Sequence, residues 1–281
     1  MKSLTLITGF WGPESLKRKD GRNPIPFYFE GFQKLKIPSD IPIVYFIEPE
    51  WQHLLSHREK ELVVSRPFNE LSYVPSFDKC KNLKPFQNYG PTKDTLEFSI
   101  MSWSKPDLLA EVARSNPFNT SHFAWIDFGI AHVADLVGVD WQEITQSISD
   151  KVRICNMMAT SPHEILDLSQ FYSFNRGRVA SGFVTGCAEN IDTYAKAFRK
   201  EHESMIESGW RVMDEMIMAT MLAREPANYE RYYANYNGIL ANYSKTRRDI
   251  ENLMMNMNVC QSLGLSNEAI KIRHSLETFF H

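Results

Sequence analysis

The stretch His122-Phe123-Ala124-Trp125-Ile126-Asp127-Phe128-Gly129 joins five residues of strand length to a carboxylate and a glycine. A nearly all-apolar strand is typical of a parallel sheet, whose strands are buried on both faces. In open α/β sheets, ligands bind beyond the carboxyl ends of the strands, which is where Asp127 would lie. A carboxylate there is costly to bury without a partner, so Asp127 is a candidate for function. The alternative is a strand-end Asp that caps a turn at Gly129.

Apolar segments of strand length alternate with helical segments along the chain, which predicts an α/β fold. We expect a mixed, mostly parallel sheet flanked by helices. Pro106 predicts a break near Lys105 in the helix that Asp94 would begin. Further strands are expected near residues 4–8, 41–47, 61–65, 152–158 and 178–184, and further helices near residues 28–35, 50–60, 190–207 and 212–224.

The composition is that of an ordinary globular protein: of 281 residues, 43% are hydrophobic and 23% are charged. The length fits one domain over residues 1–244 and a helical C-terminal extension over residues 245–281 that packs on it. A formal net charge of −3 gives no general attraction to nucleic acid. No apolar run approaches the roughly 20 residues of a transmembrane segment, and no signal peptide is evident. A cytoplasmic location is therefore expected.

Two further segments carry residues that suit a binding site. Ser181-Gly182-Phe183-Val184-Thr185-Gly186 is a strand with two glycines, which lets its backbone approach either a ligand or a neighbouring helix. Asp214 and Glu215 stand at a helix start, where acids either complement the helix dipole or act as a catalytic base.

The loop after the first strand begins with Thr8-Gly9-Phe10 and continues to Arg18. An aromatic ring here could stack on a nucleotide base while the basic residue meets phosphate, and a turn beside a solvated loop is the alternative. Lys105 opposes the dipole if it begins a helix, and it could instead face a diphosphate. Five tyrosines form either a packed wall or a platform for a sugar acceptor: Tyr229, Tyr232, Tyr233, Tyr236 and Tyr243.

From Asn116-Pro117-Phe118 to Trp125-Ile126-Asp127-Phe128-Gly129, the chain resembles the HtrL/YibB (WlaTC/HtrL) family of proposed glycosyltransferases. The likeness spans most of residues 1–245, and it implies a GT-A-like (Rossmann-like) fold. It also implies Asp214 or Glu215 as the catalytic base. The donor-binding residues that it implies are Thr8, Gly9, Phe10, Arg18, Lys105, Asp127, Phe128, Gly129, Gly182 and Phe183.

The resemblance further implies a divalent metal, Mn²⁺ or Mg²⁺, with Asp127 as its ligand. The chain departs from the D-x-D motif of such enzymes, because the second acid is Gly129 here. Either Asp127 alone holds the metal together with the donor diphosphate, or Lys105 and nearby arginines neutralise the charge. We expect a metal-assisted enzyme.

The function that the resemblance implies is transfer of a sugar from a nucleotide-sugar donor to a hydroxyl of an oligosaccharide or glycoconjugate acceptor. The expected donor is a UDP-sugar such as UDP-hexose or UDP-xylose, and the expected stereochemical outcome is inversion. Two alternatives stay open at this point. One is a sugar nucleotidyltransferase, and the other is a non-catalytic carbohydrate- or nucleotide-binding protein on a transferase fold.

Overall fold

The computed structural model describes residues 2–12, 25–90 and 94–245, together with six single residues closer to the C-terminus. Arg18 lies outside the described residues. Most of the predicted C-terminal extension does too, so the boundary after residue 244 and the packing of the extension stay predictions. The six single residues are Asn258, Gln261, Asn267, Ala269, Ile270 and Arg273.

Strands and helices alternate along the described chain, as the apolar segments indicate. The strands are β1 (Leu4–Phe10), β2 (Ile43–Ile47), β3 (Glu61–Ser65), β4 (Lys84–Pro85), β5 (His122–Ile126), β6 (Val152–Asn156), β7 (Val179–Cys187), β8 (Trp210–Arg211) and β9 (Tyr229–Tyr233). The helices are α1 (Ile25–Gln33), α2 (Phe77–Cys80), α3 (Leu96–Ser115), α4 (Trp141–Ser147), α5 (Leu168–Tyr172), α6 (Ala188–Glu207) and α7 (Asp214–Arg224).

Seven of these strands form one sheet in the order β3-β2-β1-β5-β7-β6-β9. The pairs β1–β2, β2–β3, β1–β5 and β6–β9 are parallel, whereas β7 is antiparallel to both of its neighbours. The predicted α/β fold, with a mixed, mostly parallel sheet flanked by helices, is confirmed. Its first strand, acid-ended central strand, glycine-containing strand and acidic helix start follow in the order that the resemblance implies.

Alternation along each strand divides the core between the two faces of the sheet. Ile7 and Trp125 belong to the core on one face, which also holds apolar residues of α3, α6 and α7. Leu6, Ile126 and Phe128 belong to the core on the other face, beside α1. Neighbouring residues at the end of β5 therefore lie on opposite sides of the sheet.

Helix α3 runs without a break from Leu96 to Ser115, so the predicted interruption at Pro106 is wrong. Proline removes one backbone hydrogen bond from the preceding turn, which normally kinks or ends a helix. Here tertiary packing holds the helix on both sides of the proline. Trp103, which is fully buried, donates from Nε1 to the Val212 carbonyl at 3.0 Å, and Leu108 and Leu109 are buried in the same core.

The predicted helix over residues 50–60 is also wrong, because only a short 3₁₀ helix, Pro49–Leu54, forms there. The Arg58 guanidinium donates to the carbonyls of Ile37 and Pro38, at 2.9 and 2.6 Å, and this ties the following segment down before β3. Within the described residues, no helix combines the length and the apolar character that crossing a membrane requires.

Candidate functional site

Lys105 brings together residues from four elements at the carboxyl end of β5. Its Nζ atom lies 2.9 Å from Asp127 Oδ1, 3.0 Å from Asp127 Oδ2 and 3.1 Å from Asp214 Oδ2. The same atom donates to Ser181 Oγ at 3.3 Å. We call Lys105, Asp127, Ser181 and Asp214 the Lys105 cluster. Sequence analysis singled out three of its members, and the unbroken α3 is what carries Lys105 to the strand ends.

The charge of Lys105 is set by its two carboxylate partners. Its side chain is only 15% exposed, and burial alone would disfavour the ammonium. The negative charges of Asp127 and Asp214 outweigh that effect and raise the pKa of Lys105. Lys105 is therefore a permanent cation in this site.

The Asp127 carboxylate accepts hydrogen bonds from two side chains, those of Trp125 and Lys105. The indole N–H of Trp125 donates to Asp127 Oδ1 at 2.6 Å, in addition to the contacts with Lys105. The Asp127 backbone N–H donates to the Gly182 carbonyl at 2.9 Å, which ties the end of β5 to β7. One third of the Asp127 side chain stays exposed, whereas the Asp214 side chain is 4% exposed. Asp127 is thus the member of the pair that a ligand can reach.

Gly182 leaves space beside that carboxylate. A Cβ atom at position 182 would lie 3.4 Å from Asp127 Oδ2 and 3.4 Å from Ile239 Cδ1. A side chain at position 182 would therefore contact this oxygen, and a larger one would cover it. The structure therefore places Gly182 where a small residue keeps the approach to Asp127 open.

Glu215, the second acid of the predicted pair, has a different environment from Asp214. Both of its carboxylate oxygens lie 2.8 Å from the hydroxyl of Tyr236, which donates to them. Burial and the neighbouring charge of Asp214 raise the pKa of Glu215 to about 8, although the Tyr236 hydrogen bond and Lys105 oppose the shift. A carboxyl group whose pKa lies near neutral pH is suited to accept a proton.

The end of β1 holds three predicted donor-binding residues, Thr8, Gly9 and Phe10, whose roles stay predictions. Thr8 is fully buried on the strand. A Cβ at Gly9 would lie 2.3 Å from the Trp11 ring, because Trp11 folds back over this glycine. Phe10 packs against Phe29 and Phe128, with ring centroids 5.1 Å apart in both pairs.

Three more predicted donor-binding residues lie on the side of the sheet away from the Lys105 cluster: Phe128, Gly129 and Phe183. Phe128 is buried and stacks on Phe32 at a centroid distance of 4.7 Å. Phe183 is fully buried and packs against Tyr243 at 5.1 Å. The nearest neighbours of a Cβ at Gly129 would be Tyr28 and His132, at 3.5 and 3.4 Å. These side chains contribute to the core, and the donor-binding roles expected for them stay predictions.

We call Phe10, Tyr28, Phe29, Phe32 and Phe128 the aromatic cluster. It packs α1, to which three of its members belong, on the face of the sheet opposite to α3. A cavity of about 150 Å³ opens beside it, lined by Phe29, Phe32, Tyr45 and Phe128 among others.

Sequence analysis did not single out three residues of the site, which are Trp125, Ser181 and Tyr236. Trp125 precedes Asp127 by two positions in a strand, so alternation places both side chains on one face and could have identified it. Ser181 was quoted only as part of its strand. Tyr236 stood among five tyrosines, of which Tyr232 and Tyr243 are fully buried whereas Tyr236 is 39% exposed. Only the tertiary contact with Glu215 distinguishes it.

The side chains around Asp127 do not fit the predicted divalent metal. An ionised carboxylate offers about four acceptor positions, and Trp125 and Lys105 occupy three of them here. Like unit charges 4 Å apart near a protein surface repel by about 4 kcal/mol, and a divalent ion beside Lys105 would double that repulsion. Among the described residues, no group of three or more histidine, cysteine or acidic side chains is arranged to hold a metal.

Comparisons with known proteins identify both a family and similar solved structures. The structure of mouse xyloside xylosyltransferase 1 in its apo form is similar to this chain at 10% identity, with a TM-score of 0.44. The match covers 82% of this chain and 84% of that chain, a likeness too low to assign an activity. No match was found among curated proteins. The model of the HtrL/YibB family, described as bacterial proteins of unknown function, matches residues 57–231, so the chain belongs to the HtrL/YibB family.

Proposed function

We propose that the protein is a glycosyltransferase that moves a sugar from a nucleotide-sugar donor, with a UDP-sugar as the expected donor, to a hydroxyl of a glycan acceptor. The observation that carries the proposal is the pairing of a held, partly exposed carboxylate with a second carboxyl of raised pKa. Asp127 is the held group and Glu215 is the second one. Both belong to the carboxyl-end region of the sheet, where ligands of α/β folds bind.

Glu215 is the base in this proposal, and Asp214 is a positioning residue. Asp214 is nearly buried and paired with Lys105, so it is already committed as a counter-ion. Glu215 accepts hydrogen bonds from the neutral Tyr236 hydroxyl and from the Ser181 backbone, and its raised pKa matches the task of taking a proton near neutral pH. The group that orders the site and the group that reacts are therefore consecutive residues at the start of α7.

The proposed reaction is a single displacement at the anomeric carbon. Glu215 takes the proton of the acceptor hydroxyl while the hydroxyl oxygen forms a bond to that carbon. The bond from the carbon to the diphosphate oxygen breaks on the opposite side, which inverts the configuration. Asp127 accepts a hydrogen bond from the donor beside Gly182, and positioning of the two reactants supplies much of the rate enhancement.

The test is donor hydrolysis and transfer against a panel of UDP-sugars, with the wild-type chain and the variants Glu215→Gln and Asp214→Asn. Loss of a general base typically costs about 10²–10⁴-fold in rate, and we expect Glu215→Gln to show it. The variant Glu189→Gln is the control, because it also replaces a glutamate in the first turn of a helix, α6. Unchanged turnover in Glu215→Gln would show that this residue is not the base. Binding of a nucleotide without any turnover would favour a non-catalytic binding protein.

A further inference from the structure

We infer that Lys105 is the resident cation of this site and takes the place of a divalent metal. The inference rests on the proposed function insofar as it concerns the transferase reaction. Its structural basis, however, is the set of contacts around one ammonium group.

The first argument is the position of the Lys105 ammonium. Its Nζ atom lies between two carboxylates from distant elements, with three carboxylate oxygens at 2.9, 3.0 and 3.1 Å. A divalent cation that joined Asp127 to Asp214 would have to occupy the same point, since that is where their oxygens converge. Lys105 is held there by the rigid helix α3, of which it is a central residue.

The second argument is the acceptor capacity of Asp127. Trp125 and Lys105 both bond Oδ1, and Lys105 also bonds Oδ2. The acceptor position that is left lies on Oδ2, on the side that Gly182 keeps open. One remaining position suits a single hydrogen-bond donor such as a hydroxyl. A metal such as Mg²⁺ needs close to six oxygen ligands at about 2.1 Å.

The third argument concerns Gly129, which stands where the second acid of the D-x-D motif would be. A side chain at this position would start beside Tyr28 and His132. Both belong to the region around α1, and neither is a member of the Lys105 cluster. Position 129 therefore supplies no second acidic ligand to the Lys105 cluster.

The first experiment measures metal binding without any nucleotide. Free Mn²⁺ is followed by electron paramagnetic resonance during titration of the full chain, for the wild type and for Asp127→Asn. Wild type and Asp127→Asn should leave the free Mn²⁺ signal equally unchanged. Binding of Mn²⁺ to the wild type that is lost in Asp127→Asn would overturn the inference.

Removal of the ammonium should create a metal site. In Lys105→Ala the two carboxylates face a vacated point, and a divalent cation needs them to move closer by less than about 1 Å. Mn²⁺ at about 100 times its dissociation constant should raise the Tm of this variant by roughly 5 °C, and EDTA should reverse the rise. A Lys105→Ala chain that responds no more than the wild type would count against the inference.

Two matched variants separate this effect from a loss of folding. Lys105→Arg keeps the positive charge and should gain no Mn²⁺ response. Lys81→Ala removes a lysine from an exposed ion pair with Asp78 and should gain none either. If Lys105→Ala does not fold, the comparison of wild type with Asp127→Asn decides the question.

A final arm distinguishes the inference from the proposed function. Cleavage of a UDP-sugar by the wild type should keep its rate within about twofold in EDTA. A loss of tenfold or more that Mn²⁺ restores would overturn the inference while leaving the transferase function intact. A chain that cleaves no UDP-sugar contradicts the proposed function alone, because the metal titrations contain no nucleotide.

Discussion

The Lys105 cluster and the aromatic cluster begin at neighbouring residues, Asp127 and Phe128, and yet they have nothing in common chemically. Asp127 meets an ammonium and an indole N–H on the α3 side of the sheet, whereas Phe128 is buried among rings on the α1 side. Both residues belong to one family motif. The comparison shows that a motif in a strand divides its residues between two tasks, because successive side chains point to opposite faces.

The largest effect should come from Lys105→Met, which damages both stability and activity. It leaves Asp127 and the nearly buried Asp214 without their cation, and breaking a buried ion pair on one side costs about 3–5 kcal/mol. Urea unfolding measures the loss. The matched change Lys81→Met affects an exposed pair and should cost at most about 1 kcal/mol. Equal losses in the two variants would show that the Lys105 cluster is no more than a surface ion pair.

Phe128→Ala should cost similar stability and leave the chemistry alone, which sharpens the comparison between the two clusters. Truncation of a buried phenylalanine costs about 3–5 kcal/mol, and the cavity already present beside this ring would grow. The reaction rate per folded molecule should stay within about tenfold of the wild type, measured well below the Tm. The control is Phe174→Ala at an exposed position, which should be nearly neutral. A rate loss as large as that of Glu215→Gln would place Phe128 in the donor site after all.

Gly9→Ala should have an intermediate effect. The new Cβ would lie 2.3 Å from the Trp11 ring, so the indole must move and the end of β1 is overpacked. Such overpacking typically costs about 1–3 kcal/mol. The comparison is Gly31→Ala in α1, where the nearest side-chain atom is 3.5 Å away. An unchanged urea midpoint in Gly9→Ala would show that Trp11 does not require this glycine.

The smallest effect should be a displaced pH profile in Tyr236→Phe. The raised pKa of Glu215 predicts that the rate of donor cleavage rises with pH through a midpoint of about 8. The Tyr236 hydroxyl favours the carboxylate, so its removal should raise this pKa and move the midpoint further up. Tyr233→Phe, at the last residue of β9, serves as the control and should keep the wild-type profile. A midpoint that falls in Tyr236→Phe would mean that the hydroxyl does not donate to Glu215.

The same shift predicts how stability depends on pH. The folded-state pKa of Glu215 is higher than its unfolded value, so folding favours the protonated carboxyl. Its contribution to stability is complete below the ordinary glutamate pKa and is lost as pH rises toward about 8. Urea unfolding at a series of pH values should show this decline in the wild type and its absence in Glu215→Gln.

Much of the fold could be predicted because the strands are short apolar runs, and burial on both faces leaves a plain signal in β2 and β5. The unbroken α3 could not be predicted, since Pro106 is a local signal for a break. The helix continues because Trp103 and Leu109 pack against segments that are distant in the sequence. The helix predicted after β2 failed for a similar reason, because Arg58 bonds backbone carbonyls that precede the strand.

The candidate site was predictable where a residue type is unusual for its place. Asp127 at the end of an apolar strand and the acids of α7 are of this kind. The division of labour between Asp214 and Glu215 was not predictable, because it depends on Lys105 and Tyr236, which reach α7 from other parts of the chain. Alternation could also have assigned Phe128 to the core, since it follows Asp127 directly.

The contacts of Lys105 also determine when the site can form during synthesis of the chain. Lys105 meets Asp127 within 22 residues, but Ser181 only after 76 and Asp214 after more than 100. A nascent chain that has left the ribosome only as far as β6 therefore carries the ammonium with one of its two counter-ions. The cluster closes after α7 has emerged, so the arrangement of its charges is set late in translation.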